Sequence, residues 1–176
     1  PSAASDTTVA RDLLRDGFDR IHDGVPAVVD GLTPEQLLWR PDPEANHLAW
    51  LVWHLSRQAD AQLAALADRE QAWTADGWAE RFDLPYPTEA HGYAMSGDDV
   101  GAFVLDDPAL LTGYADAVHS LTLEVIDALD PETLARVIDA DWDPPVTVAV
   151  RVVSVLDDAA KHLGQAEYLR GLIERR

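Results

Sequence analysis

The segment Leu48-Ala49-Trp50-Leu51-Val52-Trp53-His54-Leu55 is apolar nearly all the way round a helix, interrupted only by one imidazole. A helix with no polar face cannot lie on a surface, so this one must run through the interior of a larger helical assembly. Asn46 stands where an N-cap is wanted, and nothing breaks the pattern before about Gln71. The rest of the chain supplies neighbours for it. Leu14, Phe18, Ile21, Val25, Val28 and Leu32 recur at steps of four and three, as do Leu111, Tyr114, Val118, Leu121, Val125 and Leu129. A last stripe, Val152, Leu156, Ala159, Leu163 and Ala166, follows Thr147 as the helix start and runs to about Glu174. The valine-rich stretch 146–155 has β-branched character, but it continues into D-D-A-A-K-H-L-G-Q without a breaker, which favours helix. With no convincing hairpin signal, the expected fold is all-α: an antiparallel four-helix bundle formed by one domain over residues 1–176.

Prolines and caps punctuate these helices. Pro26 lacks an N–H for the helical ladder, so the first helix is expected to kink or break near Gly24 to Pro26. Thr33-Pro34-Glu35-Gln36 reads as an N-cap, a proline at the first helical position and a capping-box glutamine, and Asp130-Pro131-Glu132 echoes it. Pro108 opens the third long helix. Between the second and third long helices, residues 73–107 carry prolines, glycines, Trp78, Phe82, Tyr86 and Tyr93 and have room only for short helices. This loop-rich insertion is expected to wrap one end of the bundle, its aromatic residues packing rather than forming a ligand box.

Chemistry concentrates in two places. Asp158 and His162 lie four residues apart, on one face of the last helix, where their side chains can address one ion. His54 comes from the central helix. Two imidazoles and a carboxylate hold a divalent first-row metal and leave positions open for water or substrate. The bland alternative is a solvated acid–base pair beside a hydrogen-bonded core histidine, and spacing alone favours it. His47, two turns before His54, is too far away to share the ion and is expected to line the pocket mouth. Asp60 is expected on the surface, and His22, His91 and His119 have no partner at ligand spacing.

Thirteen basic against 32 acidic residues give a net charge of −19, which repels nucleic acid and anionic membranes and leaves a small molecule as the expected partner. No stretch is apolar for long enough to span a bilayer, and the start P-S-A-A-S-D lacks the basic and apolar regions of a signal peptide, so a cytoplasmic protein is expected. There is no cysteine, so a reacting thiol would have to be brought in by a cosubstrate.

The combination N-H-L-A-W-L-V-W-H-L (46 to 55), the preceding W-R-P (39 to 41) and H-L-G-Q (162 to 165) resembles the DinB superfamily, and more narrowly its mycothiol-dependent branch, which includes maleylpyruvate isomerase. The resemblance extends over nearly the whole chain. It implies a four-helix bundle whose metal is bound by one histidine of the second long helix and two ligands of the fourth, here His54, Asp158 and His162. Many members have histidine where this chain has Asp158, and some thiol-dependent members have a carboxylate. Gln165 falls on the glutamine of the family's H-x-G-Q pattern, as a pocket residue or a partner of a ligand. The implied activity is metal-dependent S-transfer or isomerisation using a low-molecular-weight thiol, with zinc as the first choice of metal and nickel, iron or manganese as others. A homodimer is compatible with the resemblance. The alternatives are a metal-dependent hydrolase and a non-catalytic metal- or ligand-binding bundle.

Overall fold

The computed structural model describes the chain from Ala3 to Arg176, with side chains from Asp6 onward, so Pro1 and Ser2 of the P-S-A-A-S-D start lie outside what is described. Its elements in order are α1 (Ala3–Val29), α2 (Pro34–Leu37), α3 (Leu48–Leu66), α4 (Ala72–Ala75), α5 (Trp78–Phe82), α6 (Gly97–Gly101), α7 (Ala109–Ala128), α8 (Pro131–Ala135), β1 (Val137–Asp139), β2 (Val146–Thr147) and α9 (Val148–Ile173). The four long helices α1, α3, α7 and α9 pack together, and short helices fill the insertion between α3 and α7.

The apolar segment is the centre of this arrangement: fourteen of the 19 residues of α3 are buried. It packs chiefly against α9 and α7, while α1 closes the bundle against α7 and α9. Helix directions follow from the contacts. Arg11 donates to the carbonyl of Leu129 while His22 meets Asp116, so α1 and α7 are antiparallel. Gln62 meets Arg151 while His54 meets His162, so α3 and α9 are antiparallel too. Gly17 faces Leu156 and Gly24 faces Leu163, so α1 and α9 run the same way. The antiparallel expectation thus describes two of the neighbouring pairs. The long insertion carries the chain back along the bundle, so that α7 runs parallel to α3, with Arg57 near Tyr114 and Arg69 bonded to Glu124.

Four local expectations are corrected. Helix α1 is unbroken through Pro26. The lost backbone bond costs about 3 kcal/mol, but Val25, Val28 and Val29 are all within 2% of full burial, and each buried valine contributes roughly 1.5–3 kcal/mol. Helix α3 is capped by His47 rather than Asn46 and ends at Leu66 rather than Gln71. A short antiparallel ladder does form, pairing Val137 with Thr147 and Asp139 with Val146, so the valine-rich stretch begins as strand and becomes helix. The caps at Thr33, Asp130 and Thr147 form as read. Among the described residues no helix is long and apolar enough to cross a membrane.

The fourth correction is Asp60. It is fully buried, because the insertion covers the face of α3 that would otherwise meet water. Its carboxylate accepts from the backbone N–H groups of Ala72 (2.9 Å) and Trp73 (2.8 Å) and from the Tyr114 hydroxyl (2.8 Å). Gln71, the N-cap of α4, makes no side-chain cap bond of its own, so Asp60 caps that helix from a different one. Arg57, one turn away and 3.7 Å from the carboxylate, donates to Gln71 (2.9 Å) and Tyr114 (3.3 Å) and lies over the Trp73 ring. This buried network ties the insertion to α3 and α7.

Candidate metal centre

His54 is 5% exposed, enclosed by α3, α9 and the loop after Pro87. Its ring stacks on Trp50 one turn earlier, with centroids 4.5 Å apart, and meets His162 edge to face at 4.6 Å. Its Nδ1 is hydrogen-bonded to the backbone carbonyl of His91. A carbonyl only accepts, so Nδ1 carries the proton and Nε2 keeps its lone pair. His162 is fixed in the same way, with Nδ1 donating 2.8 Å to the carbonyl of Asp158. Both rings thus have Nδ1 committed to a backbone carbonyl, which leaves Nε2 as the nitrogen that can ligate, oriented by a backbone partner as metal-binding histidines commonly are.

Burial holds His54 near pKa 4, below its usual 6.5; the proximity of His162 adds to this, and the hydrogen bond to the His91 carbonyl opposes it. Neutral imidazole is the ligating form. Asp158 supplies the charge, and its Oδ2 is buried without a hydrogen-bond partner, 3.6 Å from His162 Nδ1. A desolvated carboxylate oxygen without a donor is costly unless a cation meets it. One ligand atom from each of His54, Asp158 and His162 lies within 4.8 Å of the others, so the triad could hold a metal ion. Two imidazole nitrogens and one carboxylate oxygen suit a divalent first-row ion with coordination positions left for exogenous groups. His162 and Asp158 have side chains 17% and 37% exposed, so the centre is reached from the α9 side.

Gly92 makes the close approach of the loop possible. Its φ is +97°, and a Cβ there would lie 2.3 Å from His54 Nδ1 and 2.9 Å from the Trp50 ring. Alanine at this position should push the loop away and free the His54 ring, weakening metal affinity by about 10- to 100-fold, as losses of ligand-orienting partners do. Competition against a chromogenic chelator would measure it. The glycine and the His91 carbonyl escape sequence reading, since only a glycine in an otherwise ordinary loop marks them.

The other sites expected from sequence fare differently. His47 does not line a pocket mouth: it is buried, its Nδ1 accepts from the Trp50 N–H (3.0 Å) and its Nε2 donates to the Val100 carbonyl (3.1 Å). Gln165 is exposed and lines an open groove with Leu51, Lys161, Gly164 and Tyr168, one turn along α9 from His162. His22 and His119 stack with centroids 4.2 Å apart, their Nε2 atoms bonded to Asp116 and Asp19 across the α1–α7 seam.

Burial also drives His47 to a pKa near 4. In the unfolded chain both His47 and His54 would protonate near their usual pKa of about 6.5, so below that pH the unfolded state binds protons that the fold excludes. Stability should therefore decline as pH falls from about 6.5 toward 4, by up to roughly 3 kcal/mol from His47 alone. Urea midpoints across this window should show the slope, and His47→Asn, which keeps a capping acceptor, should flatten it.

Residues 18–166 match the DinB superfamily. The chain belongs to the DinB superfamily. Among solved structures, this DinB protein is similar to one titled "Crystal structure of the conserved protein of locus from Enterococcus faecalis", at 33% identity and a TM-score of 0.88, over 94% of this chain and 97% of that one. Among curated proteins none matches. The DinB assignment agrees with four long helices packed together and short helices inserted between them.

Proposed function

We propose that this DinB protein is a divalent-metal-dependent enzyme that uses a small thiol cosubstrate of the mycothiol type for S-transfer to, or isomerisation of, a small electrophile. The observation that carries the metal part is the buried, partnerless Oδ2 of Asp158, gathered with two histidines whose Nδ1 atoms are already bonded to backbone carbonyls. Those three residues would hold the ion, zinc being the first choice. When bound, a divalent ion supplies Lewis acidity that lowers the pKa of a thiol or water.

The chain's own residues supply the rest. Trp50 and the His91 carbonyl fix the His54 ring, and the carbonyl of Asp158 fixes His162. Asp158 offsets part of the ion's charge. The chain has no cysteine, so the sulfur comes from the cosubstrate, and the likeness of its motifs to the mycothiol-dependent branch supports that choice. The groove of Leu51, Gln165 and Tyr168 begins one turn from His162 and gives such a cosubstrate room beside the centre.

Elemental analysis of wild type beside His54→Ala and His162→Ala tests the metal. Near-stoichiometric metal in the wild type and its loss in both variants is expected; a wild type that stays metal-free after reloading would refute the site. The metal-loaded protein is then assayed with a panel of low-molecular-weight thiols and electrophiles. Turnover that requires both the thiol and His162 is expected, and metal binding with no thiol turnover would sink the thiol reading alone.

A further inference from the structure

Residues 88–92 form a strap over His54 with no helix or strand of its own. Its place is set by three side chains, each donating to one of its backbone carbonyls. Trp73 Nε1 donates to Thr88 (2.9 Å), Arg57 Nε to Ala90 (3.2 Å) and His54 Nδ1 to His91. The last two carbonyls belong to adjacent residues, and their donors stand three apart on α3, where side chains share a face. A carbonyl can orient an imidazole only if the carbonyl is itself held. Were the bond to His54 its only tie, the strap would follow the ring rather than fix it.

The other two ties are rigid. Arg57 is 1% exposed, and while its Nε meets Ala90, its Nη1 donates to Gln71 and Tyr114 and lies 3.7 Å from Asp60. A planar guanidinium bonded at two of its nitrogens cannot swing, whereas a lysine ammonium on its flexible stem cannot make those bonds together. Trp73 is fixed as well, its backbone N–H donating to Asp60 and its ring lying beneath Arg57, 4.8 Å from the guanidinium carbon. The buried network around Asp60 therefore ends, through the strap, at a metal ligand.

We propose that Arg57, with Trp73 as a second anchor, is a positioning residue for the metal centre: it pins the strap, and the pinned His91 carbonyl aims His54 Nε2 toward Asp158 and His162. Partners of this kind that orient a ligand from behind set both its direction and its affinity for the ion. Gly92 completes the device, since a Cβ there would meet His54 Nδ1 and keep the strap away. The inference rests on the metal reading above, but the bonds it invokes belong to the chain itself and can be followed without an ion.

Arg57→Lys tests it, because it keeps a buried cation beside Asp60 and loses the bond to Ala90. In the metal-free protein, solvent exchange of the His54 Nδ1 proton, followed by NMR, should become about five- to tenfold faster. Zinc affinity, measured by competition with a chelator, should fall about tenfold. Tyr114→Phe separates positioning from stability: it removes a bond to a different nitrogen of Arg57 and leaves the contact to Ala90, so it should lower stability while both readouts stay at wild-type values. Trp73→Phe keeps a ring beneath the guanidinium but loses the donor to Thr88. It should move both readouts in the same direction as the lysine variant, and it decides the matter if that variant fails to fold. Wild-type proton exchange in the anchor variants, or an equal change in Tyr114→Phe, would overturn the inference. A wild type that binds no zinc would refute the metal reading instead, and the exchange rates would still show whether Arg57 sets the ring.

Discussion

Asp60→Ala is expected to unfold most of the protein at ambient temperature. The substitution strips four groups of their partner at once: the N–H groups of Ala72 and Trp73, the Tyr114 hydroxyl and the Arg57 guanidinium. None can turn to water, because Arg57 and Tyr114 are within 1% of full burial and Trp73 is 4% exposed. Removing one partner of a buried ion pair costs about 3–5 kcal/mol, and the orphaned N–H groups add to that at roughly 1–3 kcal/mol each before relaxation. A domain of ordinary stability has only about 5–15 kcal/mol to lose. Tyr114→Phe is the graded comparison. It removes the hydroxyl that donates to Asp60 and accepts from Arg57, and leaves the carboxylate on its two backbone donors. Burial holds the Tyr114 hydroxyl well above its usual pKa, so it is a neutral donor throughout the working pH range. Its loss should cost about 1–2 kcal/mol. Urea unfolding would rank wild type, Tyr114→Phe and Asp60→Ala in that order, and an Asp60→Ala midpoint close to wild type would show that the network is not what fastens the insertion.

The misplacement of Asp60 shows where sequence patterns stop being informative. Helical periodicity locates the four long helices because each buries a stripe against the others. The same reasoning puts Asp60 on the outside of α3, which is correct for the bundle alone. What covers that face is residues 72–107, an insertion whose packing depends on Trp73 and Phe82 finding Tyr114 and on Phe103 finding Trp53, partners far away in the chain. No local periodicity reports such contacts. His47 failed for a related reason: as an acceptor for a helix N–H it does the work expected of Asn46, and its second nitrogen is used by Val100, in a segment 53 residues away. The gathering of His54, Asp158 and His162 was easier to read, since four-residue spacing on one helix and a lone imidazole in an apolar helix are local signals. The backbone carbonyls that orient the two rings carry no side-chain signature at all.

Removal of metal from the wild type should lower its melting temperature by about 5 to 15 °C. Metal at roughly 100 to 1,000 times its dissociation constant adds about 2.7–4.1 kcal/mol to the folded state, and each kcal/mol moves the midpoint of a chain this long by about 2–4 °C. His162→Ala, lacking a ligand, should melt at the same temperature with or without chelator. Asp158→Ala distinguishes a metal centre from an ordinary acid–base pair most sharply, because the sign of its effect depends on the ion. Without metal, the buried Oδ2 is an unsatisfied atom that the fold has to tolerate, so deleting it should be neutral or slightly stabilising, within about 1 kcal/mol. With metal, deletion removes the anionic ligand and should cost most of the binding increment. If Asp158 merely paired with His162, its removal would destabilise the protein equally in both conditions. Thermal melts of wild type and Asp158→Ala, each with chelator and with added zinc, give the four values needed, and an interaction between substitution and metal of less than about 1 kcal/mol would exclude Asp158 as a ligand.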